Sequence, residues 1–256
     1  GVRRKAVEDS DEGQERLRRD GLIEDEQKEL RSRFKDALRT LKTSSLYRGR
    51  SERWRNELPW YLLIGPQGSG KTSLLDFSGL EFPINRIDRK LTRDTAGTRY
   101  CDWYFADHGV LIDTAGRYLT QADGEVDGGA WATLLGLLRK RRRARPLNGV
   151  MVSIPVETLL SDDEMALDTL ARQVRARLQE IQQTLHLDLP VYLVLSKADQ
   201  LLGFDEFFDQ LSREESDQVL GTSFGKEQNG TDVTVLRQAF EDLLRRLNSQ
   251  VIMRIH

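Results

Sequence analysis

A glycine-rich segment contains the residues best suited to chemistry. Residues 65–72 read Gly-Pro-Gln-Gly-Ser-Gly-Lys-Thr and fit the phosphate-loop pattern G-x-x-x-x-G-K-[ST] without a mismatch. Glycines let the backbone curl so that successive N–H groups converge on phosphate oxygens. Lys71 would bridge the β and γ phosphates, and the Thr72 hydroxyl would ligate Mg²⁺. The segment therefore predicts a nucleotide site with these contributors: Gly65, Gly68, Ser69, Gly70, Lys71 and Thr72.

A second motif ends the apolar stretch Val110–Ile112. Asp113-Thr114-Ala115-Gly116 resembles the Asp-x-x-Gly motif of GTPases, in which the aspartate reaches Mg²⁺ and the glycine N–H contacts the γ phosphate. An aspartate at a strand end is commonplace, but its combination with the phosphate-loop pattern favours the functional interpretation. We expect Asp113 to hold the metal through water and Gly116 to bind nucleotide.

A polar segment without periodicity lies between these two motifs. It reads Thr-Arg-Asp-Thr-Ala-Gly-Thr-Arg over residues 92–99, which is typical of a mobile switch loop. Its Gly-Thr-Arg ending resembles the string that supplies a threonine to Mg²⁺ and the γ phosphate in bacterial Era-like GTPases. Thr98 is therefore the predicted third metal ligand, and Thr95 is the runner-up.

Arg117 follows Gly116, where Ras-like enzymes carry a water-orienting glutamine. Intrinsic Ras hydrolysis is itself only on the order of 10⁻⁴ to 10⁻³ per second, so a chain without that glutamine should be slower. Arg117 would stabilise transition-state charge, as an arginine finger does, or form a surface salt bridge, which carries the greater weight. The residues expected to act in slow NTP hydrolysis are Lys71, Thr98 and Arg117.

A third motif, Ser196-Lys197-Ala198-Asp199, resembles the [NT]-K-x-D motif that reads guanine. Asp199 would accept hydrogen bonds from the guanine ring and its exocyclic amine, and the Lys197 stem would lie over the base. Ser196 replaces the usual Asn or Thr, which alters the tether and weakens the preference for guanine. The expected cofactor is Mg²⁺ with GTP/GDP favoured over ATP/ADP.

The elements that position these motifs are short apolar strands alternating with helical patterns, which indicates an α/β domain. Strands are predicted at residues 60–64, 99–105, 109–112, 150–156 and 190–195. Apolar stripes predict helices over residues 131–138, 167–185 and 233–251, and Ser161 with Glu164 would form a capping box for the second. The predicted fold is a P-loop GTPase-like, Era/Ras-like, mostly parallel sheet flanked by helices, with an N-terminal helical arm and a C-terminal helical extension.

Charged side chains are much denser in residues 1–60 than in the rest of the chain. Apolar residues from Leu30 to Leu41 recur there at helical spacing, which predicts an amphipathic helix, and Asp20-Gly21 predicts a break before it. The predicted domains are the charged arm, the GTPase-like domain and the helical extension, over residues 1–57, 58–225 and 226–256.

Composition excludes several other classes of protein. The net charge is −2, the mean hydropathy is −0.54 and Cys101 is the single cysteine, which excludes an internal disulfide and a zinc site built on four thiolates. Even the longest apolar runs, such as Trp60–Ile64, are far shorter than the roughly 20 residues of a membrane-spanning helix. The basic run at residues 139–145 suits a helix C-terminus, or contact with lipid or a partner, whereas nucleic acid is disfavoured.

Strings outside the nucleotide motifs resemble one family. They lie at residues 58–61, 78–83, 97–105, 113–118, 146–150 and 202–204. Together they resemble the cytoplasmic domain of the IcmF/TssM proteins, which are inner-membrane subunits of bacterial type VI secretion systems with relatives in type IV systems. The resemblance covers about residues 58–225 and is more specific than any nucleotide motif alone.

The resemblance implies a fragment of a larger, membrane-anchored protein on the cytoplasmic side of the bacterial inner membrane, with the arm following a membrane anchor. It implies TssL and TssJ as membrane-complex partners, and TssK with other baseplate subunits as docking partners. The expected function is nucleotide binding, with slow hydrolysis acting as a switch for complex assembly or baseplate docking. The alternative is a non-hydrolysing scaffold that docks the same partners.

Overall fold

The computed structural model describes residues 10–44, 58–82, 98–209, 211–225, 227–228 and 232–255. It divides the chain into two compact units, Gly1–Ala198 and Asp199–His256. This division lies before the boundary that the sequence suggested after residue 225. The charged helix of the predicted arm belongs to the first unit.

The first unit is built on a five-stranded sheet in the order β2-β3-β1-β4-β5. The strands are β1 (Trp60–Ile64), β2 (Cys101–Ala106), β3 (Gly109–Thr114), β4 (Gly149–Pro155) and β5 (Val191–Ser196). β1 pairs in parallel with β3 and β4, β4 pairs in parallel with β5, and edge strand β2 pairs antiparallel with β3. The predicted α/β class with a mostly parallel sheet is confirmed.

Helices connect and flank these strands. In the described part of the first unit they are α1 (Asp11–Thr43), α2 (Lys71–Asp76), α3 (Gly116–Thr120), α4 (Val126–Arg141), α5 (Val156–Leu159) and α6 (Glu164–Leu185). A 3-10 helix spans Ala198–Gln200. The described part of the second unit contains α7 (Phe204–Phe208), α8 (Arg213–Ser216) and α9 (Val233–Ile255). All three helices that the apolar stripes predicted are therefore confirmed.

α1 is one continuous helix of 33 residues, so the break predicted at Asp20-Gly21 is wrong. Before the glycine, Arg19 donates to Asp123 and Glu125, each at 2.7 Å. After it, the predicted stripe from Leu30 to Leu41 is buried. A glycine inside a helix costs only about 1 kcal/mol relative to alanine, which this packing offsets.

The N-terminus of α6 also differs from its prediction. Asp163 Oδ1 caps the helix by accepting from Ala166 N at 2.9 Å, whereas Ser161 Oγ accepts from Asp163 N at 3.0 Å. The predicted capping box of Ser161 and Glu164 is therefore wrong. Aspartate is as effective an N-cap as serine, so the pattern alone did not separate two candidates two positions apart.

Both faces of the sheet carry apolar clusters, which hold the central strand in place. Trp60, Leu62 and Ile64 of β1 belong to the larger cluster, which also includes buried residues of α1, α3, α4 and α6. Leu63 belongs to a smaller cluster on the other face, together with Leu75 of α2. β1 is thus buried on both sides, so the loop that follows it starts from a fixed point.

The second unit contains an apolar groove. Phe204, Phe207 and Phe208 of α7 line it together with Leu244 and Leu247 of α9, and its volume is about 760 Å³. The three phenylalanine rings contact one another at centroid distances of 4.5 and 4.8 Å, as expected for packing residues. Among the residues that the structure describes, none of the helices has the length and apolar composition that a membrane crossing requires.

Candidate functional site

The candidate site lies at the carboxyl end of β1. In the sheet, β1 lies between β3 and β4. The chain leaves β1 towards β2 and β3 on one side, and the connection after β3 then crosses β1 to reach β4 on the other side. Open α/β sheets bind ligands at such topological switch points. The glycine-rich loop, residues 65–70, starts here, and Asp113 and Ser153 lie near the carboxyl ends of the two neighbouring strands.

The glycines of this loop are required by its backbone geometry and its packing. Gly68 and Gly70 have φ angles of 75° and 77°, in the left-handed region that favours glycine. A Cβ atom on Gly65 would lie 2.6 Å from Ser153 O, which is too close for any side chain. The curled loop that the sequence predicted is therefore present, and its first residue packs directly against β4.

The three predicted metal ligands meet beside the loop. Thr72 Oγ1 donates to Asp113 Oδ2 at 2.7 Å, and Thr98 Oγ1 donates to the same oxygen at 2.8 Å. The two hydroxyl oxygens lie 3.2 Å apart. Thr98 thus reaches the site from the segment before β2, whereas the runner-up, Thr95, lies outside the described residues.

Lys71 and Asp113 are both buried, and burial shifts both of their pKa values. Lys71 Nζ donates to Gly65 O at 3.0 Å and to Pro66 O at 3.1 Å. Burial lowers the pKa of Lys71, although the charge of Asp113 opposes the shift. Burial raises the pKa of Asp113, against hydrogen bonds from Thr72 and Thr98 and the charge of Lys71. Each group is therefore held at a desolvation cost, as is common at functional sites.

The donor set of this cluster fits a hard divalent cation. Asp113 is fully buried, and its Oδ1 accepts no hydrogen bond within the described part of the chain. A free carboxylate oxygen beside two hydroxyl oxygens is an all-oxygen set, which Mg²⁺ prefers while keeping several water ligands. The residues present are therefore suited to Mg²⁺.

Gly116, the first residue of α3, lies against the glycine-rich loop. A Cβ atom at this position would lie 2.3 Å from Gln67 N and 2.5 Å from Gln67 Cα. Only glycine allows two backbone segments to approach so closely. The structure therefore brings the second motif into contact with the first, as nucleotide contact by the Gly116 N–H would require.

Arg117 is held in an ion-pair network. It donates to Glu26 on α1, to Asp127 Oδ1 on α4 at 2.8 Å, and to Arg99 O at 2.6 Å. Its guanidinium also lies 4.8 Å from the ring centroid of Tyr118. Of the two predicted roles, the salt bridge is the one seen in this conformation, and it is largely buried rather than on the surface. Stabilisation of transition-state charge stays a prediction.

The end of β5 is tied to the glycine-rich loop. Ser196 Oγ donates to Ser69 O at 2.6 Å, so a serine at the first motif position still makes a tether. A Cβ atom on Gly70 would lie 3.7 Å from Lys197 Cγ, and Lys197 Nζ donates to Glu157 at 3.0 Å. Lys197 therefore lies alongside the loop.

Asp199 is exposed in the 3-10 helix Ala198–Gln200 and is the first residue of the second unit. Its contact with a base stays a prediction.

Sequence reasoning missed two residues near the site, Ser153 and Glu26. Ser153 Oγ donates to Ser69 O at 3.2 Å, and its signal was a lone hydroxyl within the apolar strand β4. Glu26, which binds Arg117, lies four positions before Leu30 and so continues the buried stripe of α1. A charged residue in register with an apolar stripe is expected to have a buried partner, and this signal was present in the sequence.

Comparisons with known proteins indicate one family. The family model described as the IcmF-related N-terminal domain matches residues 124–256, about half of the chain. The chain is also 43% identical over 234 residues to the type VI secretion system component TssM1 of Pseudomonas aeruginosa. That alignment covers 88% of this chain and 21% of TssM1, so the chain spans about a fifth of its relative. The chain therefore belongs to the IcmF/TssM family of type VI secretion proteins.

Proposed function

We propose that the first unit is a P-loop GTPase-like domain that binds a nucleoside triphosphate with Mg²⁺. The observation that carries this proposal is the meeting of the Thr72 and Thr98 hydroxyls on the buried Asp113 carboxylate, whose second oxygen has no hydrogen-bond partner among the described residues. A folded chain rarely buries a carboxylate in this way without a use for it. A divalent cation would supply the missing charge.

Each residue has a defined role in this proposal. The loop N–H groups would donate to phosphate oxygens, and Lys71 would exchange the carbonyls of Gly65 and Pro66 for the β and γ phosphates. Thr72 and Thr98 would hold Mg²⁺ directly and Asp113 would hold it through water, while the Gly116 N–H would donate to the γ phosphate. Bound Mg²⁺ would neutralise charge on the phosphates.

Turnover is proposed to be slow. No glutamine follows Gly116, and the donors of Arg117 already serve Glu26, Asp127 and the Arg99 carbonyl. The same engagement of Arg117 favours the second candidate function, a scaffold that binds nucleotide without hydrolysing it. Both functions use the same binding site, and phosphate release distinguishes them.

The base and the cellular setting are further parts of the proposal. The Ser196 tether and the position of Lys197 beside Gly70 support guanine over adenine. Family membership supports assembly with TssL and TssJ, docking of TssK and other baseplate subunits, and a place on the cytoplasmic side of the inner membrane. In that setting the nucleotide state would be read during complex assembly or baseplate docking.

The test is titration of the purified chain with a fluorescent GTP analogue in Mg²⁺. Lys71→Ala should abolish binding, and EDTA should do the same. Lys140→Ala, which removes an exposed lysine near the end of α4, is the matched control and should bind like the parent. Equal binding by the parent and Lys71→Ala would sink the assignment of the site.

Competition and turnover then resolve the finer claims. GDP should compete better than ADP in the parent protein, and Asp199→Ala should remove that difference. Equal competition by ADP in the parent would refute the guanine preference. Single-turnover phosphate release from Mg·GTP separates a switch, which releases phosphate, from a scaffold, which does not.

A further inference from the structure

Glu26 joins helix α1 to the residues that follow Gly116. Its Oε1 accepts hydrogen bonds from Arg117 and from Tyr118 Oη, the latter at 2.8 Å. The Glu26 side chain is only 10% exposed, and Tyr118 is fully buried. The partners of this buried carboxylate are therefore the two residues next to the glycine that lies against the loop.

Arg117 also holds the segment that carries Thr98. Its Nη2 and Nε donate to Arg99 O at 2.6 and 3.1 Å, and Arg99 directly follows Thr98. The backbone of Ala115 adds a hydrogen bond from its N–H to Tyr100 O at 2.8 Å. Arg117 thus links the two segments that are expected to contact a γ phosphate, those of Thr98 and Gly116. Glu26 on α1 binds that arginine in turn.

A second set of ion pairs fixes the same helix elsewhere. Arg19 donates to Asp123 and Glu125, and Arg16 donates to Glu125 at 3.3 Å. The side chains of these pairs are 38–61% exposed, and none of them belongs to the loop, to the segment around Thr98 or to Gly116-Arg117. They hold α1 on the first unit without contacting the candidate site, which makes them a natural control.

We infer that Glu26 is a positioning residue of the nucleotide site and that α1 is the element through which nucleotide occupancy is read. Nucleotide binding would draw the Gly116 and Thr98 segments onto the phosphate and metal, and the Arg117–Glu26 contact would transmit that restraint to α1. Because linkage is reciprocal, packing of α1 against the rest of the first unit would strengthen nucleotide binding by the same factor by which nucleotide strengthens that packing. This inference rests on the proposed function.

The test measures both directions of the coupling. The dissociation constant of a fluorescent, non-hydrolysable GTP analogue with Mg²⁺ is measured for the parent, Glu26→Gln and Arg19→Gln. Glu26→Gln should weaken binding about 5-fold or more, and Arg19→Gln should leave it within about 2-fold because its pairs are exposed and separate from the site. Arg117→Gln should weaken binding similarly, and adding Glu26→Gln to it should cause no further loss.

Amide hydrogen exchange provides the readout that a merely structural role would not move. Ligand should slow exchange in α1 of the parent and of Arg19→Gln, and should not do so in Glu26→Gln. The parent measurement requires no variant, so it can overturn the inference even where Glu26→Gln fails to fold. Unchanged α1 exchange in a parent that binds the analogue overturns the inference.

The outcomes separate this inference from the function on which it rests. A parent protein that binds no analogue overturns both. A parent that binds, with Glu26→Gln folded and binding equally well, leaves the proposed function standing and refutes the coupling. If Glu26→Gln and Arg19→Gln weaken nucleotide binding equally, the packing of α1 acts only through the general stability of the fold, which also refutes the positioning role of Glu26.

Discussion

Asp113→Asn should make the ligand-free protein more stable. The Asp113 side chain is fully buried, its Oδ2 accepts two hydroxyl hydrogen bonds, and its Oδ1 accepts none from the described residues. An unsatisfied buried polar group costs about 1–3 kcal/mol, and more when it is charged. Asparagine keeps one oxygen for the hydroxyls and removes the charge, although it loses the attraction of Lys71. We expect a net gain of about 1 kcal/mol in the free energy of unfolding in EDTA.

The same substitution should remove stabilisation by the ligand. At 100 times its Kd, a ligand that binds only the folded state adds about 2.7 kcal/mol to the free energy of unfolding. The parent should gain this amount from a Mg·GTP analogue, and Asp113→Asn should gain nothing because its amide lacks the negative charge that holds the cation. Urea unfolding with EDTA or with ligand measures both values, and Asp107→Asn in the exposed turn before β3 is the control. A variant less stable than the parent in EDTA, yet stabilised equally by ligand, would refute the reasoning.

The difference between parent and variant should also depend on pH. Burial raises the pKa of Asp113 above its ordinary value of 3.8, so the folded state binds this proton more tightly than the unfolded chain does. This tighter proton binding adds to the free energy of unfolding of the parent. The added stability is fully present below pH 3.8 and is lost as the pH rises through the raised pKa of Asp113. The advantage of Asp113→Asn should therefore grow as the pH rises from about 4 towards 7. A difference independent of pH would contradict the assignment of a buried, charged Asp113.

Three other perturbations test separate contacts. Arg142→Ala should lower the free energy of unfolding by about 3–5 kcal/mol, because this 1%-exposed arginine donates to two carbonyls and lies 4.4 Å over a tryptophan ring. Arg143→Ala, on the exposed part of the same basic run, should change the free energy by about 0.5 kcal/mol or less, and equal effects would contradict this. Gly116→Ala should cost about 1–3 kcal/mol by overpacking and weaken nucleotide binding, whereas Gly136→Ala inside α4, with open space around it, should stabilise by about 0.5–1 kcal/mol. Burial raises the pKa of the Cys101 thiol, so a thiol reagent should label it only as fast as the protein opens, and rapid labelling of folded protein would show otherwise.

The strands were predictable because local signals bound them. β1 begins and ends at the predicted residues, since five apolar residues stand between Pro59 and Gly65. The continuity of α1 was not predictable in this way. It depends on contacts of Arg19 with Asp123 and Glu125, about a hundred positions along the chain, which no local window includes.

Much of the candidate site followed from motif spacing, because parallel neighbouring strands bring their carboxyl ends together. Thr72 and Asp113 are 41 positions apart, yet both were placed at one site and they form a hydrogen bond. A salt bridge of Arg117 was predicted, but its partner Glu26 was not, since Glu26 lies 91 positions earlier on a separate helix. Motifs predict which residues meet at a strand end, whereas the contacts of those residues with other elements depend on how helices that are distant in sequence pack.

Arg117, which departs from the GTPase pattern, is also tied to three other segments of the first unit. To reach a γ phosphate, Arg117 would have to leave Glu26 and Asp127, both of which are nearly buried. Removing one partner of a buried ion pair is strongly unfavourable, because the remaining charge stays desolvated. The geometry therefore favours Arg117 as a restraint on the segments around Thr98 and Gly116 rather than as an arginine finger. In the proposed nucleotide site, such a restraint would suit slow turnover, and it would make the position of α1 depend on what the site binds.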